Sequence, residues 1–302
     1  MGFILNPLYN IVSGIIVFIH KLLSPVFGFN SGVTWSLSIM GLVVLIRIIL
    51  IPLFVKQIKS QRALTALQPQ MKEIQKRYKD DRQKQSEEMM KLYKEHKTNP
   101  LASCFPILAQ APIFFALFTV LNGIAHNKPH GFLKGEYLVS AAQAKFFGAP
   151  ISETFLGSDK TTVKIVTVLL IIFMSGTTFT TQRQLMVKGM PKMDASNNMM
   201  LQQQKIMLYL FPIIFAVSGV NFPVGVLIYW STTNLWTWGQ QYYVIKRNPT
   251  PGSPAYEELQ RKRAHKAKLE GKEVQGIDST EGAAAPEVQG QRQQPKKKKK
   301  KK

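Results

Sequence analysis

Long apolar stretches alternate along the chain with strongly basic stretches. About 20 mostly apolar residues are enough for an α-helix to cross the hydrocarbon core of a bilayer. Several stretches approach that length, and we predict that each crosses the membrane once. They are residues 33–55, 101–124, 163–181, 206–221 and 223–244. The pattern therefore predicts an all-α membrane protein built around a bundle of five transmembrane helices.

A further apolar stretch, residues 4–23, is interrupted by several polar residues. Its apolar residues Ile11, Phe18 and Leu22 fall near one face of a helix, as in an amphipathic helix. This pattern favours a helix that lies on the membrane surface, and a helix that crosses the membrane is the alternative. We therefore assign residues 1–32 to an N-terminal interfacial helix. A helix that spans the membrane stays the alternative for this segment.

The net charge of +22 is distributed unevenly between the apolar stretches. Twelve Lys and Arg residues lie in 56–98, four in 183–205 and sixteen in 246–302. Loops rich in Lys and Arg stay in the cytoplasm, so we place these segments and the carboxyl terminus there. The amino terminus and the loop 125–162 are then outside. The first 20 residues lack the pattern of an organelle transit peptide, so the predicted location is the bacterial plasma membrane.

The basic segment 56–98 has apolar residues at spacings of three and four, the period of an amphipathic helix. They are Leu64, Leu67, Met71, Ile74 and Tyr78. Asp80 and Asp81 interrupt the pattern, and a second short helix follows. We predict a cytoplasmic helical hairpin. It either caps the bundle or docks lipid headgroups, a ribosome or a nascent chain.

The tail, residues 248–302, is basic and poor in apolar residues, so we predict that it is mostly disordered. Its last seven residues, 296–302, are all lysine. Such a run binds polyanions through counterion release or anionic lipid through surface charge. Ribosomal RNA and anionic lipid are therefore both predicted partners of the tail, and the sequence leaves the choice open.

Arg47 lies near the middle of the first apolar stretch, and no Asp or Glu occurs before Glu73. A charge at the centre of a transmembrane helix costs roughly 2.5–3.5 kcal/mol on insertion scales, and such residues usually mark functional sites. The alternative is an arginine that extends to the nearer membrane surface. Gln110, Trp230 and Asn234 place further polar groups in other stretches. They serve helix–helix hydrogen bonding or line, with Arg47, a wet and basic cavity.

The sequence contains no metalloprotease, nucleotide-binding or hydrolase motif. Its single cysteine, Cys104, cannot form an intramolecular disulfide or a thiolate metal site. The predicted crossings contain no Asp or Glu for a proton relay. We therefore predict a protein that is not an enzyme and that uses no cofactor and no metal.

The apolar blocks resemble those of the YidC-type membrane protein insertase family, whose relatives include the mitochondrial oxidase-assembly and chloroplast Albino insertases. The blocks that carry the resemblance are residues 36–52, 99–118 and 203–234, and the hairpin motif Leu67-Gln68-Pro69 also fits. The resemblance covers about residues 33–247. The large outer domain of Gram-negative relatives is missing, so the chain resembles the short form.

The resemblance implies a five-helix core that encloses a hydrophilic groove, closed on the outer side and open to the cytoplasm and sideways to lipid. It places Arg47 in this groove and Val43 and Trp230 where substrates contact the first and last core helices. Gln110 and Asn234 are further groove candidates, and Leu67, Pro69 and Tyr78 are candidates on the hairpin.

The implied function is a membrane insertase and chaperone that works without nucleotide hydrolysis. Its implied partners are nascent membrane proteins, a Sec-type translocon, the ribosome and anionic lipid. An anion-binding membrane channel or transporter is the alternative, and a scaffold that only recruits ribosomes is a third possibility.

Overall fold

A computed structural model describes residues 2–96, 98–99, 105–189 and 199–269. Nearly all of its regular structure is helical. The helices are α1 (Gly2–Phe27), α2 (Gly32–Ile49), α3 (Ile51–Ala66), α4 (Gln68–Arg77), α5 (Arg82–Glu95), α6 (Phe105–Ala125), α7 (Glu136–Gln143), α8 (Thr161–Gln184), α9 (Met199–Gly219), α10 (Val224–Arg247) and α11 (Pro254–Leu269). A π-helical turn, Leu185–Gly189, extends α8.

Three helical segments of the described residues are long and apolar enough to cross a membrane by length and composition. They are Leu5–Phe27, Gly32–Ile49 and Thr161–Gly189. The predicted stretches 206–221 and 223–244 correspond to α9 and α10, and 101–124 corresponds to α6, although 101–104 lie outside the described residues. The three long apolar helices fit a multi-pass membrane protein by their length and composition.

The first predicted crossing, 33–55, is wrong as a single helix, because the structure divides it at Leu50 between α2 and α3. Pro52 follows the break, and proline removes a backbone donor and clashes with the preceding helical turn. A similar break at Leu67 separates α3 from α4, two residues before Pro69. The helical hairpin is therefore formed by α4 and α5, and Asp81 caps the start of α5 by accepting from the Lys84 amide at 3.0 Å.

The structure also contains a short strand pair that the sequence did not predict. Strands β1 (Lys145–Phe146) and β2 (Ala149–Pro150) pair antiparallel in the loop between α7 and α8. Phe147 and Gly148 connect them with φ values of 48° and 83°. Positive φ is typical of tight hairpin turns and favours glycine. Two-residue strands are too short to produce an alternating sequence pattern.

Buried residues of the bundle concentrate towards one end. We call the end that carries residues 28–34, 130–160 and 220–226 the closed end, and the opposite end the open end. In α10, residues 224–229 are buried, whereas residues 232–244 are half-buried or exposed. Among the side chains whose burial the structure describes, which exclude residues 105–109, the buried residues of α2, α6 and α8 likewise lie in the halves nearer the closed end. The helices are therefore well packed at the closed end and less packed at the open end.

Trp35 is the largest fully buried side chain of the closed end. Its indole Nε1 donates to Ser140 Oγ at 3.0 Å, and that hydroxyl donates to the Phe29 carbonyl at 3.1 Å. His20 Nε2 lies 2.9 Å from the same carbonyl. Because these residues come from α1, α2, α7 and the turn after α1, one polar network holds four parts of the chain together.

Helix α1 contacts one loop with both of its halves. Tyr9 lies 5.4 Å from His130 between ring centroids, and Ser13 Oγ accepts from the Phe132 amide at 2.9 Å. Eleven residues after Tyr9, His20 lies 5.6 Å from Tyr137 between ring centroids. At 1.5 Å per residue this spans about 16 Å of helix. Both halves of α1 therefore lie close to the closed end.

The loop after β2 closes onto the start of α10. The first amides of α10, those of Val224 and Gly225, donate to the carbonyls of Glu153 and Ile151 at 3.0 and 2.8 Å. They are amides that a helix cannot satisfy internally. The Glu153 carboxylate in turn accepts from Ser158 Oγ and Lys160 Nζ. Backbone bonds thereby join the loop to α10, and the side-chain bonds of Glu153 hold the loop in its own conformation.

We expect the Glu153 contacts to make the stability of the closed end depend on pH. Partial burial raises the pKa of Glu153, but hydrogen bonds from Lys160 and Ser158 outweigh it and hold the pKa below its ordinary value. The stabilisation is therefore fully present above the ordinary pKa and is lost as the pH falls through the lower, folded pKa. Thermal unfolding of Glu153→Gln should show a deficit in Tm at neutral pH that disappears in acid. Lys160→Gln should reproduce the deficit at neutral pH, and a deficit that persists unchanged in acid would contradict this assignment.

The chain divides into two compact units, Met1–Leu259 and Gln260–Lys302. The described part of the second unit is the carboxyl-terminal portion of α11, which has no buried residues. The predicted disordered tail thus begins with an ordered helix of 16 residues. Residues 270–302, including the terminal lysines, lie outside the described residues.

Candidate functional site

Arg47 lies in the last turn of α2, where the buried part of that helix has ended. The side chain is half-buried. Its Cζ atom lies 5.3 Å from the ring centroid of Phe54 in α3, a cation–π contact. Among the described residues, no carboxylate lies within ion-pair distance of this guanidinium. Arg47 is therefore a cation held by an aromatic ring, with its charge available to another partner.

Polar side chains from two other helices face the same region. Tyr229 in α10 is 4% exposed, and its hydroxyl lies near the charge of Arg47 and the side chains of Gln110 and Thr233. Gln110 Oε1 and Thr233 Oγ1 are buried and make no hydrogen bond of standard geometry within the described residues. Buried polar atoms require a partner, and the Tyr229 hydroxyl lies beside both of these side chains. The structure thus places Arg47 and Gln110 around the same tyrosine, in a polar region of the bundle.

Asn234 contributes to a different contact. Its Nδ2 donates to Thr178 Oγ1 at 3.3 Å, which joins α10 to α8. Such bonds between polar side chains commonly hold membrane helices together. In this structure Asn234 therefore has the role of an interhelical contact, which is the alternative that the sequence left open for the polar residues.

Val43 and Trp230 belong to the packed part of the bundle. Val43 is 2% exposed and lies one helical turn before Arg47. Trp230 stacks on Phe114 with ring centroids 5.8 Å apart and meets Phe222 edge-on at 4.9 Å. A substrate that contacts these residues must enter between side chains that pack against each other here. Their role in substrate contact stays a prediction.

An apolar cleft of about 580 Å³ opens beside Arg47 between α2–α3 and α10. Phe54 belongs both to this cleft and to the cation–π contact with Arg47. One aromatic ring thus lies between the polar region and the cleft. The remaining lining residues are Val44, Ile51, Val55, Ile58, Thr232, Leu235, Trp236, Gly239, Gln240, Tyr243 and Val244.

The hairpin candidates lie on α4 and at its ends. Leu67 precedes the helix and is buried, Pro69 is exposed in its first turn, and Tyr78 follows its last residue. The two helices of the hairpin touch through the Tyr93 hydroxyl, which lies 3.8 Å from the sulfur of Met71. These contacts give the hairpin its own small core.

Sequence reasoning missed Phe54, Tyr229 and Thr233 as members of the site. Phe54 follows Arg47 by seven residues, which places both near one face of a continuous helix. That spacing was a usable signal for the cation–π pair. Tyr229 and Thr233 are one helical turn apart in α10, but their approach to Arg47 depends on how α10 packs against α2, which the sequence pattern does not specify.

The family model described as 60Kd inner membrane protein matches residues 26–251, which is more than half of the chain. The chain belongs to this family. Relatives named membrane protein insertase YidC include a protein of Streptomyces avermitilis, 56% identical over 253 residues, and one of Tropheryma whipplei strain TW08/27, 37% identical over 277 residues. These matches confirm the resemblance to YidC-type insertases.

A crystal structure of an active YidC insertase with the first transmembrane domain resolved aligns with a TM-score of 0.50 at 26% identity. The alignment covers 77% of this chain and 46% of that one, and it supports a YidC-like membrane fold. The chain spans 59% of the length of the Streptomyces relative and 89% of the Tropheryma relative, while 81% and 86% of this chain are matched.

Proposed function

We propose that this protein inserts newly made membrane proteins into the lipid bilayer and assists their folding, as the name of its relatives implies. The observation that carries the proposal is the position of Arg47. Its guanidinium has no carboxylate partner among the described residues and lies where a polar region meets an apolar cleft. A membrane protein that is being inserted presents both polar and apolar segments, and this junction offers a surface for each.

The proposed arrangement has five crossings, formed by α2 with the start of α3, α6, α8, α9 and α10. The closed end faces outside, and the open end, the hairpin and the carboxyl terminus face the cytoplasm of a bacterium. The distribution of Lys and Arg supports this orientation.

Helix α1 is proposed to lie along the outer face of the plasma membrane. Its length also permits a crossing. We favour the surface position because Tyr9 and His20, about 16 Å apart along the helix, both contact the loop of residues 130–137. A crossing helix would carry one of its ends across the hydrocarbon core, away from that loop.

In the proposed mechanism, the polar tail of a substrate enters from the open end and shortens its path through hydrocarbon by using the polar region. Arg47 attracts acidic residues of that tail, and the attraction is stronger than in bulk water because the surroundings have a lower dielectric constant. The apolar helix of the substrate leaves sideways through the cleft. Its transfer into lipid supplies the free energy, so nucleotide hydrolysis is not required.

The proposed partners follow from charge and location. The hairpin exposes basic residues of α4 and α5, and α11 carries Arg261 and Arg263 on an exposed surface. These surfaces suit the phosphates of a ribosome or of anionic lipid. A Sec-type translocon is a further proposed partner for substrates with large outer domains.

Site-specific photocrosslinking to a ribosome-bound nascent membrane protein tests the proposal. A crosslinker at Leu235 or Tyr243, in the cleft, should capture the apolar segment of the substrate. A crosslinker at Ile172, exposed on α8, is the matched control and should capture far less. A crosslinker in place of Trp230 tests whether the side chains of Phe114 and Phe222, which pack against this position, separate to admit a substrate. Equal capture from the cleft and from α8 would contradict the proposal. Anion flux through vesicles that contain only this protein would instead favour a channel.

A further inference from the structure

The chemistry of the cleft restricts what it can hold. Its polar side chains include Trp236 and Gln240, and the indole Nε1 of Trp236 donates to Gln240 Oε1 at 3.0 Å. The Thr232 hydroxyl donates within its own helix to the Ile228 carbonyl at 2.8 Å. The Trp236 indole, the Gln240 carbonyl oxygen and the Thr232 hydroxyl therefore already have partners. The mostly apolar lining of the cleft favours an apolar occupant.

The shape of the cleft suits a slender occupant. Gly239 lies in its wall, and a Cβ atom placed there would meet nothing within 4 Å. Ile58 and Val244 line the cleft nearer the open end, while Val44 and Thr232 line it nearer the closed end. Because α2–α3 and α10 both run from the closed end towards the open end, the cleft extends along the helices, as does a lipid acyl chain in a bilayer.

Basic residues adjoin the part of the cleft that is nearer the open end. Lys56 lies between the lining residues Val55 and Ile58, and Lys246 and Arg247 come two and three residues after Val244. All three side chains are exposed. The sequences of α3 and α10 contain no Asp or Glu that could neutralise them. The cleft thus combines an apolar interior with a cationic rim formed by Lys56, Lys246 and Arg247. Basic pockets between transmembrane helices that bind anionic lipid headgroups have the same combination.

Aromatic residues at the same level place this rim at the membrane surface. Lys246 Nζ lies 5.7 Å from the ring centroid of Tyr242, and Trp238 stacks on Tyr242 with centroids 6.4 Å apart. Tyr243 is 61% exposed and lines the cleft. Tyr and Trp residues are enriched at the depth of the lipid headgroups. The charges of the rim are therefore at the depth where a phosphate group would lie.

We propose that the cleft binds one acyl chain of an anionic phospholipid, whose headgroup is held by Lys56, Lys246 and Arg247. Lipid of this class is the occupant because it alone among membrane components joins a slender apolar chain to an anionic group at the required depth. The proposal depends on the placement of the helices in a membrane and not on insertase activity, so its failure would leave the proposed function intact.

The bound chain would also lie against Phe54, the ring that contacts Arg47. In the resting protein the lipid covers the apolar face of this ring; that an arriving substrate helix has to displace it rests on the proposed function, unlike the lipid site itself. The site therefore couples the lipid composition of the membrane to the ease with which the cleft opens.

Photoactivatable lipids test the proposal. Phosphatidylglycerol and phosphatidylcholine with the same diazirine-bearing acyl chain are added separately to phosphatidylcholine vesicles that contain the full-length protein. Mass spectrometry then maps the labelled residues. We expect the phosphatidylglycerol probe to label Leu235, Gly239 and Tyr243 in excess over the phosphatidylcholine probe. Ile165 and Ile172, on the exposed face of α8, should be labelled equally by both probes.

Variants separate the roles of headgroup and chain. Lys246→Gln and Arg247→Gln should each reduce the excess labelling by phosphatidylglycerol about fivefold. Lys164→Gln, which removes an exposed positive charge from the start of α8, is the matched control and should not change it. Gly239→Phe should fill the cleft and abolish its labelling by both probes.

Equal labelling of the cleft by both probes in the wild-type protein would overturn the proposal, and this comparison needs no variant. The same excess on α8 as in the cleft would overturn it as well, because it would reflect general enrichment around a basic protein. An apolar peptide that copurifies with the protein and blocks both probes would identify a different occupant and would also overturn it.

Discussion

Replacement of Arg47 by alanine is expected to reduce insertion of a single-span substrate with an acidic outer tail by about tenfold to a hundredfold. The range follows from the roughly 1.5–3 kcal/mol that hydrogen bonds to charged groups contribute. The neighbouring Gln110 and Thr233 are uncharged, so they attract an acidic group much more weakly than a guanidinium does. The alanine variant therefore loses the attraction and keeps the polar surroundings. Insertion is measured in proteoliposomes by protection of the tail from added protease.

Two controls make this result specific. Arg47→Lys keeps the positive charge and should retain most of the activity, although it loses the planar contact with Phe54. A substrate whose tail contains Asn and Gln in place of Asp and Glu should be inserted equally by the wild-type and alanine proteins. If Arg47→Ala inserts the acidic substrate as well as the wild type does, the arginine has no part in the mechanism.

Replacement of Trp35 by alanine is expected to destabilise the protein by about 3–5 kcal/mol, the usual cost of removing a large buried aromatic side chain. Trp35 has no exposed surface and lies where α1, α2 and α7 meet. Its loss creates a cavity and removes the bond to Ser140, whose hydroxyl still donates to the Phe29 carbonyl. Thermal unfolding of the protein in detergent should show a large decrease in Tm.

Trp238→Ala is the matched control, because it removes the same side chain from a position that is 37% exposed. We expect a much smaller decrease in Tm, since surface substitutions usually change stability by about 0.5 kcal/mol or less. Similar losses at the two positions would contradict the conclusion that the packed core is concentrated at the closed end.

Long apolar runs made most of the helices predictable from the sequence. Length and hydropathy were sufficient for α8, because it is a nearly continuous apolar stretch. The same criterion missed the breaks at Leu50 and Leu67, since hydropathy does not register the backbone effect of Pro52 and Pro69. The strands around Phe147 were also missed, because loop conformation there depends on local φ values and on contacts with distant segments.

The candidate site was predictable in part. A cation in an apolar stretch without a nearby carboxylate identified Arg47 on chemical grounds alone. Its aromatic partner Phe54 could have been found from helical spacing, whereas Tyr229 could not, because its approach depends on tertiary packing. Polar residues in the same helix have different roles, as the bond from Asn234 to Thr178 illustrates. Polar residues on one face of a predicted helix can line a cavity or bond to a neighbouring helix, and the sequence alone does not show which.

The uneven distribution of burial has a consequence for how such a protein can evolve. Side chains on the poorly packed halves of the helices contribute little to the free energy of folding, so replacing them seldom threatens the native state. Under the proposed function, selection can therefore vary these positions to suit different substrates while the opposite half preserves the architecture. A protein with this fold can then accept many different substrates and still remain stably folded.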